Sequence, residues 1–155
     1  MSRKIAKALR TQVLFGISFA SLRLCVKFIA MTENELSKII VDCCFKIHTT
    51  LGPGLLESVY EELLAHELQK ADLNFTQQQG IPVVYEGIKM DLGFRSDIIV
   101  ENKVIIEIKS VEAIAPVHQK QLLTYLKLTG IKLGLLINFN EALIKDGIQR
   151  IVNKL

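Results

Sequence analysis

The sequence has 155 residues, of which 50% are hydrophobic and 23% are charged, with a formal net charge of +3. This length and composition predict one globular domain with a substantial core and exclude a disordered or low-complexity chain. The three cysteines, Cys25, Cys43 and Cys44, form neither a disulfide framework nor a metal-ligand spacing. Their pattern is typical of a reduced, cytoplasmic protein.

The positive charge is concentrated at the start of the chain. Residues 1–30 contain six basic residues and no acidic ones, so residues 31–155 contain 13 basic and 16 acidic residues, for a net charge of −3. The overall charge therefore gives no argument that the body of the protein binds nucleic acid.

Residues 1–30 also differ in pattern, because apolar residues recur at helical spacing with basic residues opposite them. Their longest uncharged run, from Thr11 to Leu22, is shorter than the roughly 20 residues of a membrane span. A dispensable extension is the favoured interpretation, while a surface helix and a targeting segment stay open. We therefore divide the chain into a basic N-terminal extension, residues 1–30, and a domain, residues 31–155.

The domain opens with two predicted helices. Thr32 and Glu35 form a capping-box pattern, which predicts a helix from Thr32 to about Thr49. The run Leu51-Gly-Pro-Gly54 ends it, and a second helix is predicted from about Leu55 to Ala71.

Strands and one more helix follow. Strand-like arms at 75–79 and 81–85 and a turn at Glu86-Gly87 precede a hairpin, and Pro116 begins a helix that Gly130 ends. Residues 132–139 then form a buried strand, whereas the tail, residues 147–155, has no assignable pattern. This order predicts an α/β sandwich around a mixed central sheet flanked by helices.

The hairpin runs from Phe94 to Ser110 around a short turn near Glu101-Asn102-Lys103, with β-branched residues in both arms. Because side chains alternate across a strand, Glu107 and Lys109 share a face with Ile105. The other face, with Val104, Ile106 and Ile108, is expected to take the core. Two such charges side by side are costly to bury unless something compensates, and a solvated hairpin whose Glu and Lys pair on the surface stays open.

The loop length decides whether Asp97 joins this face. A two-residue turn would place Asp97 on the opposite face, and a three-residue loop would place it with Glu107 and Lys109. We expect the three-residue loop, formed by Val100-Glu101-Asn102 with Asn102 in the left-handed conformation. Two carboxylates and a lysine would then lie together, an arrangement that suits a hard divalent cation and a phosphate.

A spaced motif in the hairpin resembles the signature of the PD-(D/E)XK nuclease superfamily. It consists of Asp97, nine intervening residues and Glu107-Ile108-Lys109, and Ser96 stands where the signature has proline. The run from Gly54 to Tyr60 reads Gly-x-x-Glu-x-x-Tyr, and together with the segments after Pro116 and Leu135 it is similar to the GxxExxY protein family of that superfamily. The likeness covers about Leu36 to Val152. It implies a restriction-endonuclease-like α/β sandwich.

The resemblance also implies roles for particular residues. Asp97 and Glu107, the carbonyl of Ile108 and an outer carboxylate from Glu57 would hold Mg²⁺ or Mn²⁺. Lys109 would orient the attacking water or stabilise charge on the phosphate. For Lys109 a plain salt bridge stays open, and for Glu57 a favourable charge at a helix N-terminus does.

Gln121 and Tyr125, spaced i, i+4, resemble a motif of the exonuclease-like branch, in which they contact DNA, water or phosphate. The catalytic candidates are therefore Asp97, Glu107, Lys109, Gln121 and Tyr125. His48, Tyr60 and His118 are candidates for supporting contacts to the metal ligands or to phosphate, and packing or structural roles stay open for them.

The favoured function is a metal-dependent nuclease that hydrolyses phosphodiester bonds in DNA. A non-enzymatic nucleic-acid-binding or regulatory protein that keeps the nuclease fold is the alternative, and a hydrolase of smaller phosphate esters is a third. Because the body is mildly acidic and phosphate contacts dominate nucleic-acid affinity, a homodimer or a partner protein is expected to assist DNA binding.

Overall fold

The computed structural model describes residues 31–155, and the predictions for residues 1–30 lie outside these residues. The described elements are α1 (Glu33–Leu51), α2 (Glu57–Lys70), β1 (Phe75–Tyr85), β2 (Ile88–Val100), β3 (Val104–Lys109), α3 (Pro116–Thr129), β4 (Leu133–Asn138), α4 (Ile144–Gly147) and β5 (Ile148–Val152). None of the helices in this part of the chain is long and apolar enough to cross a membrane.

The first helix begins as predicted. The Glu35 N–H donates to the Thr32 hydroxyl at 3.3 Å, and the Glu35 carboxylate accepts the Thr32 N–H at 2.8 Å, so the capping box is confirmed. The helix continues two residues beyond Thr49 and ends before Gly52, whose φ of 72° favours glycine.

The sheet has five strands within residues 31–155, in the order β1-β2-β3-β4-β5. Strands β3 and β4 are parallel and the other neighbours are antiparallel, so the predicted mixed sheet is confirmed. The two arms predicted at 75–79 and 81–85 form one strand, with a register shift between Ile81 and Val83. The unassigned tail contributes β5, which pairs with β4.

Both faces of the central strands are buried, which corrects the expectation that only the face of Val104, Ile106 and Ile108 takes the core. Ile105 lies in a second apolar cluster, whose other buried members are Ile81, Ile99, Leu122, Tyr125, Leu126 and Leu136. Helix α3 supplies three of these residues and packs closely on the sheet. A Cβ added to Gly134 of β4 would lie only 2.9 Å from the Leu122 side chain. The face that carries Glu107 and Lys109 is therefore partly shielded from solvent. The alternation of side chains along one strand could not predict this burial.

A chain that starts at Met31 is expected to melt at the same temperature as the full chain. Residues 32–155 form one compact unit, and its first helix already has a complete N-terminal cap. Thermal denaturation of the two forms followed by circular dichroism measures this. A clearly lower melting temperature for the shorter form would assign residues 1–30 to the domain.

Candidate active site

The loop between β2 and β3 sets the register of the candidate site. Val100 pairs with Val104 and Ile98 with Ile106, so the predicted three-residue loop is confirmed. The loop residues are Glu101-Asn102-Lys103, one position later than expected, and both Glu101 and Asn102 have positive φ, 51° and 52°. Continued by one position, this register places Asp97 opposite Glu107.

Strands β2 and β3 separate beyond the pair Ile98 and Ile106, and the side chain of Asp97 lies at this fork. The Ile108 N–H donates to Asp97 Oδ2 at 2.7 Å, where a backbone carbonyl of β2 would otherwise accept it. Because the N–H and C=O of one strand residue point to the same side, the Ile108 carbonyl also points towards the fork. The fork therefore gathers a carboxylate and a carbonyl.

Glu107 is the most deeply buried acid of the site, with 3% of its surface exposed. Its Oε1 accepts a hydrogen bond from Lys109 Nζ at 2.8 Å, while its buried Oε2 has no hydrogen-bond partner among residues 31–155. Burial raises the pKa of Glu107 to about 7, the charge of Asp97 adds to this shift, and Lys109 opposes it. A buried carboxylate oxygen without a donor is costly, so the site favours a positive charge or a proton at this atom.

The charges around Glu107 are out of balance. Burial raises the pKa of Asp97 even though the Ile108 N–H and Lys109 lower it, and the charge of Glu57 raises it further. For Lys109, burial alone lowers the pKa, but Glu107, Asp97 and Glu57 outweigh burial and raise it. Within residues 31–155 the charge of Lys109 therefore interacts with three carboxylates, Glu107, Asp97 and Glu57, and a bound cation would improve this balance.

Glu57 lies at the first turn of α2 and is exposed. Its Oε1 accepts the Ser110 N–H at 3.1 Å, and the Ser110 hydroxyl donates to the Leu55 carbonyl at 2.6 Å. These two bonds fasten the start of α2 to the end of β3. Within residues 31–155 no three His, Cys, Asp or Glu side chains form a group that could hold one metal ion, so a ligand role for Glu57 stays a prediction.

Gln121 and Tyr125 form a pair on α3. The Gln121 amide donates to the Tyr125 hydroxyl, and the Tyr125 ring lies 5.2 Å from the ring of Phe94, measured between centroids. Burial raises the pKa of Tyr125, and the charges of Glu107 and Asp97 contribute to the shift. The structure thus brings the hydroxyl into the electrostatic neighbourhood of the two carboxylates.

His48, Tyr60 and His118 make structural contacts in loops and helix ends. The His48 Nε2 hydrogen-bonds the Glu141 carbonyl at 2.9 Å, and the His118 Nδ1 accepts the Ala115 N–H at 3.3 Å at the start of α3. The Tyr60 hydroxyl donates to the Gly52 carbonyl at 2.7 Å and accepts the Leu55 N–H at 3.2 Å. These bonds support the frame of the site, and contact of the three side chains with metal or phosphate stays a prediction.

Asn138 is a contributor that the sequence analysis did not single out. It is fully buried and pairs with Lys109 across β3 and β4. Its side chain accepts the Val111 N–H at 3.0 Å and donates to the Val111 carbonyl at 2.9 Å, which fixes the chain directly after Lys109 and Ser110. A lone amide at the end of a wholly apolar strand was the available signal.

Glu61 was also missed, although it follows Glu57 by one helical turn. It is 9% exposed and hydrogen-bonds the amides of Gln77 and Gln78. Its position four residues after a candidate carboxylate was a usable signal, because such residues share one helix face.

A family model described as the PD-(D/E)XK nuclease superfamily matches residues 34–151. No curated protein and no solved structure matches the chain. The family match covers both helices before the sheet, the hairpin with Asp97, Glu107 and Lys109, and helix α3. The chain therefore belongs to the PD-(D/E)XK nuclease superfamily, and residues 31–155 have its restriction-endonuclease-like α/β fold.

Proposed function

We propose that this domain is a divalent-metal-dependent nuclease that hydrolyses phosphodiester bonds in DNA. The observation that carries the proposal is the buried Glu107 Oε2, which has no hydrogen-bond partner in the described part of the chain although Asp97 and Lys109 lie beside it. Folding alone gains nothing from such an oxygen, since leaving it unpaired costs about 1–3 kcal/mol. A cation held between Glu107 and Asp97 would remove this cost.

The donors available at the fork suit Mg²⁺ or Mn²⁺. Asp97, Glu107 and the Ile108 carbonyl supply oxygen atoms only, and Mg²⁺ is held in proteins by one or two carboxylates together with water and substrate phosphate. A structural zinc site would instead need four ligands, usually Cys or His. Glu57 lies near enough to influence the pKa of both Asp97 and Glu107, and we assign it to an outer carboxylate position.

A metal bound at the fork would supply Lewis acidity and lower the pKa of a bound water. Lys109 keeps its proton, because nearby carboxylates raise its pKa, and it therefore acts as a positive charge rather than as a general base. Its ammonium, which donates a hydrogen bond to Glu107 Oε1 in this structure, would donate to the attacking water or to a phosphate oxygen. Gln121 and Tyr125 would contact the phosphate or the water from α3.

We assign DNA as the substrate because the chain belongs to the PD-(D/E)XK nuclease superfamily, whereas the oxygen donors of the site support the divalent metal. Within the superfamily we assign the chain to the GxxExxY family, on the Gly54 to Tyr60 run. Because residues 31–155 carry a net negative charge, we assign part of the DNA affinity to a second copy or to a partner protein.

Cleavage of DNA is expected with Mg²⁺ or Mn²⁺ and not with EDTA. The assay uses single-stranded, duplex and branched DNA, RNA and a small phosphodiester, and it includes Asp97→Asn. Asparagine keeps an oxygen for the Ile108 N–H but loses the charge, so activity should fall about 10²-fold or more with the fold retained. Asp42→Asn, on the exposed face of α1, is the matched control.

Each other outcome has a definite meaning. Binding of DNA without cleavage under every metal condition would support the non-enzymatic alternative. Cleavage of the small ester alone would support the third function, and equal activity of Asp97→Asn would refute the assigned site.

A further inference from the structure

Gln78 has an unusual backbone for a residue inside a strand. Its φ is 52°, although it lies within β1, between neighbours that pair regularly with β2. Non-glycine residues rarely adopt positive φ, and holding one there costs free energy that the surrounding structure must supply.

The unusual residue lies directly across from Asp97. Gln77 pairs with Ile98 and Gln79 pairs with Ser96, so the position between them, Gln78, faces Asp97 across the ladder. Among the influences on Asp97, burial is the largest and raises its pKa, while the Gln78 amide is one of those that lower it. The strain is thus stored next to a proposed metal ligand.

The Gln78 side chain is hydrogen-bonded to helix α2. The Gln78 amide donates to Glu61 Oε2 at 2.6 Å, and the Gln77 amide donates to Glu61 Oε1 at 3.5 Å. Burial raises the pKa of Glu61, and the charge of Asp97 contributes to the same shift. A buried acid, Glu61, therefore contacts the strained residue Gln78, and its burial is a second unfavourable contribution to stability.

We infer that Gln78 and Glu61 are positioning residues that set the orientation of the Asp97 carboxylate, an inference that rests on the proposed metal site. The Gln78 amide is fixed by its hydrogen bond to Glu61, and it lowers the pKa of Asp97, which Gln78 faces across the ladder. Asp97 is then held with Oδ2 on the Ile108 N–H, which leaves its other oxygen to approach a cation. The backbone strain at Gln78 and the burial of Glu61 are tolerated because both serve this arrangement.

Gln78→Gly tests the inference, since it removes the amide and also relieves the backbone strain of the positive φ. In the metal-free protein, the Ile108 N–H should exchange with solvent about five- to tenfold faster, the size expected from weakening one hydrogen bond. The Ile106 N–H on the same strand is the internal reference. The melting temperature should change little, because relief of the backbone strain offsets the loss of the hydrogen bond to Glu61.

Binding of Mn²⁺ gives the second measurement. Gln78→Gly should weaken Mn²⁺ about tenfold, as loss of a group that orients a ligand typically does. Glu61→Gln keeps an oxygen for the Gln78 amide and should restore most of the Ile108 protection that Glu61→Ala loses. Gln79→Ala, on the same strand outside the pair, is the control and should change neither measurement.

The outcomes separate the two proposals. If Ile108 exchange and Mn²⁺ affinity stay unchanged in Gln78→Gly, the positioning role is refuted while the metal site stands. If the unaltered protein binds no Mn²⁺, the metal site is refuted, and Ile108 exchange still decides whether Gln78 orients Asp97.

Discussion

Replacement of Lys109 by methionine is expected to lower kcat for metal-dependent DNA cleavage by about 10²–10³-fold, the usual effect of removing a group that stabilises transition-state charge. The Lys109 side chain is 14% exposed, and its ammonium is 2.8 Å from Glu107 Oε1. Methionine keeps the length of the buried stem without the charge. Because the proposed ligands are the oxygens of Asp97, Glu107 and Ile108, the affinity for Mg²⁺ should remain.

Arginine separates the catalytic role from a plain salt bridge. Lys109→Arg keeps a positive charge beside Glu107. Above pH 7, where Glu107 is ionised, Lys109→Arg should therefore melt at the temperature of the unaltered protein, and Lys109→Met should melt at a lower temperature. Its planar guanidinium does not reproduce a compact ammonium at the phosphate, so activity should stay low. Lys127→Met, on the exposed end of α3, is the control. Full activity in Lys109→Met would refute the catalytic role and leave the pair as a plain salt bridge.

The face shared by Asp97, Glu107 and Lys109 could be predicted because strand alternation and loop parity are local properties. Any three-residue loop places Asp97 with Glu107, whichever residues form it. The residues that form the loop could not be predicted, because a distant residue selects them. Asn74 accepts the Glu101 N–H at 2.8 Å and donates its own N–H to the Glu101 carboxylate at 2.7 Å.

The burial of Glu107 was less accessible from the sequence. An acid in an apolar strand could equally have faced solvent, and the decision depends on α3, which packs Leu122, Tyr125 and Leu126 onto this face. The place of Glu57 depends on the same kind of contact, since Ser110 is 53 residues away along the chain. A positive φ at Gln78 leaves no trace in a sequence without a glycine or asparagine at that position.

Glu107→Gln is expected to stabilise the metal-free protein at pH 8 and to abolish its stabilisation by Mg²⁺. The pKa of Glu107 is raised from 4.5 to about 7, so the native state binds more protons than the unfolded state between these values. Stability from this group is present below pH 4.5 and is lost as the pH rises to about 7. The loss is roughly 3 kcal/mol at most, and glutamine does not incur it.

The two proteins should therefore have similar free energies of unfolding near pH 4 and diverge up to about pH 7, with the variant more stable above it. Urea denaturation across this range in EDTA measures the divergence. Glu112→Gln, in the exposed loop after β3, should show no such pH dependence.

Addition of Mg²⁺ at pH 8 should offset most of this difference. A cation at 100 times its Kd stabilises a native site by about 2.7 kcal/mol, and this gain requires the ionised Glu107 that the variant lacks. The unaltered protein should then melt at a higher temperature in Mg²⁺ than in EDTA, and Glu107→Gln should melt at the same temperature in both. If Glu107→Gln instead loses stability at pH 8 without metal, the Glu107–Lys109 pair holds the fold. If Mg²⁺ still stabilises the variant, the ion binds elsewhere, and the buried Oε2 of Glu107 does not contact it.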